Sequence, residues 1–396
     1  MEYIRSQYKT LRDRLAEPRK FMQVIAGPRQ VGKSTLVEQV LKDVDIPYTM
    51  DVADGVDAGD TDWIRRVWES ARTTMMLRGE QEHLLVIDEV QKISNWSEAV
   101  KLQWDDDTRK KVNMKVVLLG SSRLLLRKGL TESLAGRYEL IRLGHWTFQE
   151  MSDAFGFSLD QYVYFGGYPG PAHLIGDERR WRRYVRDSLV APAIEKDVIM
   201  TSNIYKPALM KQLFELGCGY SAEMLSLTKL MGQLQDAGNV TTLAGYLEIL
   251  NQCGLLTALQ KYAHDDARKY NSIPKYQVYN NALMTAYKGR SFEKDRTDPN
   301  VWGRWVESAV GTYLLSMAED NEYTVYYWRE ASDEVDFVVS GNGECVAIEV
   351  KSGRRKANSG LPRFAEAFRP KRAFVVGTGG VPLEDFLKCD IGRLIG

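Results

Sequence analysis

The stretch Phe21–Leu36, FMQVIAGPRQVGKSTL, limits what this chain can fold into more than any other. It opens on an apolar run, Val24, Ile25 and Ala26, which reads as a buried strand. Gly27-Pro28-Arg29-Gln30-Val31-Gly32-Lys33-Ser34 follows and fits G-x-x-x-x-G-K-[ST]. Leu36, Val37, Val40 and Leu41 then fall on one face of an amphipathic helix. Strand, glycine-bearing loop and helix N-terminus together form a phosphate cradle. Gly27 and Gly32 let the backbone turn its N–H groups toward an anion. The helix start, with Thr35 in its first turn, adds unpaired donors and a positive partial charge. Lys33 has the reach for β- and γ-phosphates, and the Ser34 hydroxyl suits Mg²⁺.

A second apolar run, Leu84-Leu85-Val86-Ile87, ends in Asp88-Glu89. This pattern fits a central parallel strand whose C-terminal end meets the nucleotide. Asp88 would hold Mg²⁺, directly or through water, and Glu89 would polarise an attacking water. A third run, Lys115 to Leu119, ends in Gly120-Ser121-Ser122-Arg123. Either Ser121 or Ser122 is placed to sense a γ-phosphate, or to cap the next helix. Arg137 follows a helix and precedes the strand Glu139 to Leu143. It suits an arginine finger, in cis or on a neighbour's ATP, and equally a surface ion pair.

These motifs, with the GSSR and SLAGR stretches, resemble AAA-type ATPases of the additional-strand class. The nearest resemblance is to a prokaryotic group with a C-terminal nuclease-like domain. It implies an α/β fold: a five-stranded P-loop NTPase parallel sheet with helices on both faces. A helical and winged-helix region and a smaller α/β nuclease-like domain would follow. It also implies nucleotide-dependent homo-oligomers, with a ring as one form.

The chain has 396 residues, room for two to four domains. Boundaries fall at 1–150 for the ATPase domain, 151–204 for a helical lid or connector, 205–264 for a winged-helix-like domain and 265–396 for the nuclease-like domain. Phe165 to Pro171, FGGYPGP, reads as a turn at a boundary or hinge. Asp177 to Ile199 reads as a helix carrying Arg179, Arg183 and Arg186 on one face. That face suits phosphate backbone, an inter-subunit contact or plain solvent. In the winged-helix region Asn239 to Gln260 holds no Lys or Arg, so assembly or protein contact is favoured over base reading. Lys+Arg and Asp+Glu both total 53, so no global field recruits nucleic acid. The four cysteines are widely spaced, which fits a reducing cytoplasm and argues against a zinc ribbon. No apolar run approaches the roughly 18 residues of a spanning helix, and the charged N-terminus is unlike a secretory signal.

In the last segment, Glu334-Val335-Asp336 precedes Val346-Ala347-Ile348-Glu349-Val350-Lys351. Period two puts Glu349 and Lys351 on one strand face. An Asp ending one strand and Glu-x-Lys on the next resemble the PD-(D/E)xK nuclease core. By that resemblance Asp336 and Glu349 would hold Mg²⁺, Lys351 would activate water, and Glu307 would assist from a helix. Arg354, Arg355 and Lys356 would meet nucleic-acid phosphates. The alternative is a domain that binds a partner without cleaving. Ala263 to Lys275 reads as a polar connection.

Overall fold

The apolar runs around Val24, Leu85 and Val116 become the middle of one sheet. The computed structural model describes residues 3–121, 130, 133–199, 204–235, 238–265, 272–353 and 360–395. Ser122, Arg123, Arg354, Arg355 and Lys356 lie outside the described residues. The chain divides into two units, Met1–Gly144 and His145–Gly396.

In the first unit, β1 (Met22–Ala26), β2 (Tyr48–Val52), β3 (His83–Asp88), β4 (Met114–Gly120) and β5 (Tyr138–Arg142) form a sheet in the order β2-β3-β4-β1-β5. All four pairings are parallel. β3 and β4 are buried along their whole length, which is why both read as unbroken apolar runs. Helices α1 (Gln7–Ala16), α2 (Lys33–Asp43), α3 (Trp63–Arg78) and α4 (Trp96–Lys110) complete the unit. Alternate strand residues point to opposite sides. Val24, Leu85, Ile87, Val116 and Leu118 pack with Ile64 and Trp68 of α3 and Val100 and Trp104 of α4. On the other side Lys115 Nζ donates to Leu15 O of α1 at 2.6 Å, and Arg14 Nη1 donates to Gln23 at 3.2 Å. The five-stranded parallel sheet with helices on both faces is therefore as expected. Asp107 ties α3 to α4, accepting from Trp68 Nε1 and Arg72 Nε, both at 2.7 Å.

The second unit begins with α5 (Phe148–Phe155) and α6 (Leu159–Phe165), each started by a capping box. The Gly166-Gly167 turn lies inside this unit and is packed tightly. A Cβ on Gly166 would sit 2.1 Å from Asn280 Oδ1, which accepts from Gly167 N at 3.1 Å. The arginine-rich helix α7 (Glu178–Tyr184) continues in wider π-type turns to Val190. Next come α8 (Pro207–Gly219), α9 (Leu227–Met231), α10 (Val240–Gln252) and the antiparallel ribbon β6 (Leu256–Leu259) with β7 (Lys275–Val278). Lys275 thus begins a buried strand and does not end a polar connection. Its position opposite Leu259 places it in the ribbon's ladder.

Helices α11 (Asn281–Lys288), α12 (Phe292–Thr297) and α13 (Pro299–Asn321) lead into a four-stranded sheet. It contains β8 (Thr324–Glu330), β9 (Asp333–Gly341), β10 (Glu344–Lys351) and β11 (Arg372–Gly377) in the order β11-β10-β9-β8. β8, β9 and β10 are antiparallel neighbours, and β11 runs parallel to β10 after α14 (Gly360–Phe368). Phe364 of α14 packs with Trp328, Val335, Val338 and Ala347. Gly311 lets α13 come close to β7 and β9: a Cβ there would sit 2.2 Å from Gln277 and 2.9 Å from Phe337.

Candidate functional site

The loop after β1 is shaped by its neighbours. Leu143 N donates to Ala26 O at 2.8 Å, and a Cβ on Gly27 would meet Leu143 O at 2.0 Å, so only glycine fits. Gly32 has φ +92°, a left-handed backbone that glycine takes without strain. It starts α2 without a side-chain cap, which leaves the helix N–H groups to an anion. Lys33 is buried, and its Nζ donates to Gly27 O at 3.1 Å and Pro28 O at 2.8 Å. The ammonium is folded back onto the loop it would leave for a phosphate. Arg29 is half-buried, Gln30 (φ 57°) and Thr35 are exposed, and Val31 is buried. Arg5 went unseen in the sequence. It is buried and donates to Val31 O at 3.3 Å and Gly144 O at 3.0 Å, bracing the loop from the N-terminal segment.

Parallel pairing brings the ends of β3 and β4 beside this loop. Ser34 Oγ donates to Asp88 Oδ2 at 2.6 Å, and Asp88 Oδ1 accepts from Glu89 N at 2.7 Å. Two hard oxygens, from Ser34 and Asp88, so meet where the motif calls for Mg²⁺, and this donor set fits that ion. Glu89 has φ 54°, which turns its carboxylate away from the strand axis. Ser121 Oγ donates to Glu89 Oε2 at 2.9 Å, and Gln91 Nε2 donates to the same oxygen. Between the two serines offered by the sequence, Ser121 is the one whose contact is described. Gln91 was missed. Its signal is only a polar residue two positions after Glu89, and its contact depends on the short 3₁₀ turn Val90–Lys92.

Arg137 stands elsewhere. Met22 N donates to Arg137 O at 2.9 Å, level with the start of β1, while the phosphate loop lies at its end. At about 3.3 Å per residue these edges are roughly 15 Å apart. The guanidinium is bidentate to Asp105 of α4, at 2.8 and 3.0 Å. That hydrogen bonding holds the Asp105 carboxyl below its ordinary range. Arg137 therefore stands at the edge of the sheet opposite the phosphate loop, in an ion pair such as the sequence also allowed.

In the second unit Glu307, Glu334 and Asp336 converge on a residue that the sequence places at the end of a polar connection. Lys275 is 1% exposed. Its Nζ lies 2.5 Å from Glu307 Oε1, 3.8 Å from Asp336 Oδ1 and 3.9 Å from Glu334 Oε1, and it donates to Asp336 O at 3.1 Å. Asp336 Oδ2 accepts from Val350 N at 2.7 Å, and Lys351 Nζ pairs with Glu349 Oε1. Burial pulls the Lys275 ammonium down, yet Glu307, Asp336 and Glu334 raise it well above its usual range. Burial and the Asp336 charge push the Glu307 carboxyl up to about 8 against the pull of Lys275. Burial also raises Glu334. Among the described residues no group of three or more His, Cys, Asp or Glu is disposed to hold a metal. Asp336 and Glu349 do lie beside each other on the paired strands β9 and β10, and each carboxylate has an ammonium near it, Lys275 for Asp336 and Lys351 for Glu349.

Three family models match in succession. Residues 19–152 match the AAA domain, residues 156–294 a domain of unknown function (DUF8612) and residues 302–387 another (DUF4143). Relatives are an uncharacterized protein of Mycobacterium tuberculosis, 26% identical over 83% of this chain and 69% of its own, and one of Haemophilus influenzae, 20% identical over 83% and 82%. Among solved structures, a Walker-type ATPase of Pyrococcus abyssi is similar with a TM-score of 0.45 at 14% identity, covering 71% of this chain and 94% of its own. The Thermotoga maritima RuvB Holliday junction branch migration motor gives 0.34 at 16%, covering 63% and 85%. No described helix is long and apolar enough to cross a membrane.

Proposed function

We propose that this chain binds ATP with Mg²⁺ at Gly27 to Thr35 and hydrolyses it, and that the nucleotide cycle works a switch whose C-terminal part binds a partner without cleaving it. The observation that carries the ATPase reading is the joined set Ser34–Asp88–Glu89–Ser121. On nucleotide binding, Lys33 exchanges two loop carbonyls for β- and γ-phosphate oxygens. Ser34 and Asp88 would hold Mg²⁺, which would offset phosphate charge. Glu89, aimed by Ser121 and Gln91, orients and polarises the attacking water. Arg137, at the far edge of the sheet, suits the ATP of a neighbouring copy, and this supports a homo-oligomer.

The binding-only reading of the C-terminal part is favoured over a nuclease by the Lys275 contacts, since PD-(D/E)xK chemistry needs a metal. The three helices and ribbon from Pro207 to Val278 support a winged-helix-like module that joins in assembly. The test is ATP turnover beside fluorescent-nucleotide binding. Glu89→Gln should lose turnover by roughly a thousandfold and keep its affinity. Equal turnover in that variant would sink the assignment. Incubation of the wild type with single- and double-stranded DNA and RNA, with Mg²⁺ or Mn²⁺, should leave every substrate intact.

A further inference from the structure

We infer that Lys275 is the resident cation of the Glu307–Glu334–Asp336 cluster, that its tethered ammonium keeps divalent metal out, and that removing it turns the cluster into a divalent-cation site. The inference stands apart from the nucleotide reading, because it concerns only the second unit.

Three carboxyl groups converge on one point, and the ammonium occupies it. Nζ donates to Glu307 and to the Asp336 carbonyl, with Glu334 and the second Asp336 contact just beyond. The Phe337 ring closes the remaining side at 4.8 Å. An ammonium this enclosed has no room for a second cation beside it. Two positive charges about 4 Å apart in a partly dry site repel strongly. The ammonium also spaces the carboxylates for N···O contacts, wider than the roughly 2.0–2.2 Å that Mg²⁺ or Mn²⁺ requires. That spacing accounts for the lack of a metal-ready group in a cluster so rich in acids.

The charge balance points to what would replace Lys275. Three carboxyl groups stand against the Lys275 ammonium, with Lys351 farther off, and burial first and the neighbouring Asp336 charge second raise Glu307 and Glu334. A divalent ion with oxygen preference neutralises such a set better than a single charge does. Glu307 on α13 and Asp336 on β9 are anchored on regular elements, so they need only side-chain rotation to close on a smaller ion. Lys275 itself comes from β7, outside the β8–β11 sheet. The cation is therefore supplied by the preceding segment of the chain and fastens that segment to the acidic cluster.

The experiment is Mn²⁺ binding to full-length protein without nucleotide, followed by electron paramagnetic resonance and calorimetry. Wild type and Asp336→Asn should bind alike, with no site that depends on Asp336. Lys275→Met should gain one site, tighter by roughly tenfold or more than any in the wild type, and Lys275→Met/Asp336→Asn should lose it again. Lys275→Gln, which keeps a polar contact, serves as the second variant, and circular dichroism checks the fold of each. A wild-type Mn²⁺ site abolished by Asp336→Asn overturns the inference. So does a folded Lys275 variant with no gained site. If neither variant folds, the wild-type comparison with Asp336→Asn decides alone.

Discussion

Two sites in this molecule are written in nearly the same sequence language, acids beside buried apolar strand residues, and they are built in opposite ways. At the end of β3, Asp88 and Glu89 are held by neutral donors: the hydroxyls of Ser34 and Ser121, the Gln91 amide and a backbone N–H. Neutral donors orient a carboxylate and leave its charge in place, ready for Mg²⁺ and for polarising water. In the second unit, Asp336, Glu307 and Glu349 face the ammonium groups of Lys275 and Lys351. There the charge is already answered from within. Whether a carboxylate pair is chemistry or scaffold depends on the charge of what holds it, and a short motif does not report that.

The largest effect that would break this contrast is at Lys275. Removing one partner of a buried ion pair costs about 3–5 kcal/mol, because the surviving carboxylates are left uncompensated. Lys275→Ala should lower the urea midpoint accordingly, and millimolar Mn²⁺ should restore part of the loss. In the first unit Glu89→Gln should alter turnover with little change in midpoint, since among the described residues the donors to that carboxylate are neutral. A small effect of Lys275→Ala on stability would mean that the ammonium is not what balances the cluster.

Glu307 gives the comparison a pH axis. Its carboxyl is pushed up to about 8 in the folded state, above its value in an unfolded chain. A group raised in this way favours folding fully below the ordinary carboxylate range. Its contribution fades as pH rises toward and through about 8. Stability measured by urea from about pH 5 to about pH 9 should therefore fall more steeply in wild type than in Glu307→Gln. Equal slopes would mean that Glu307 is not the group behind the fall.

Arg137 sharpens the first site from outside. Its bidentate hold on Asp105 and its place beside the start of β5 fit a surface ion pair, and the proposed action on a neighbouring copy's ATP makes a different prediction. Arg137→Ala should lower turnover by roughly a hundredfold. Mixing it with the Lys33→Ala protein should recover some activity, because mixed assemblies pair an intact loop with an intact arginine. Absence of any recovery would count against action in trans.

What the sequence made legible was local. The strands of the first sheet follow from unbroken apolar runs, and Gly27 and Gly32 follow from backbone needs within eight residues. Contacts that depend on distant partners stayed hidden. Lys275 lies in a polar-looking stretch, and its hydrogen-bond partner Asp336 is 61 residues away. Arg137 looked well placed by its neighbours in sequence, yet only the register of β5 against β1 shows which edge of the sheet it occupies. Arg5 gives no sign of its role, because the loop carbonyl it supports is 26 residues on.

Gln91 carries the smallest predicted effect and the finest distinction. Its amide N donates to Glu89 and lies 3.5 Å from Ser121 Oγ, while its own Oε1 is buried with no hydrogen-bond partner among the described residues. Turning the amide over would set two acceptors against each other at Glu89, so its orientation is fixed by its neighbour's charge. A buried carbonyl oxygen without a donor costs about 1–3 kcal/mol, and that cost is recovered if a water engaged in hydrolysis donates to it. Gln91→Met keeps the volume and removes both functions. We expect kcat to fall roughly tenfold, with nucleotide affinity and melting temperature unchanged. A parallel fall in affinity or stability would make Gln91 part of the scaffold. A rise in kcat would make it a brake on Glu89. Because its donors are neutral, this site is tuned by aim and not by charge, so its losses should appear in kcat where those of the second site appear in folding.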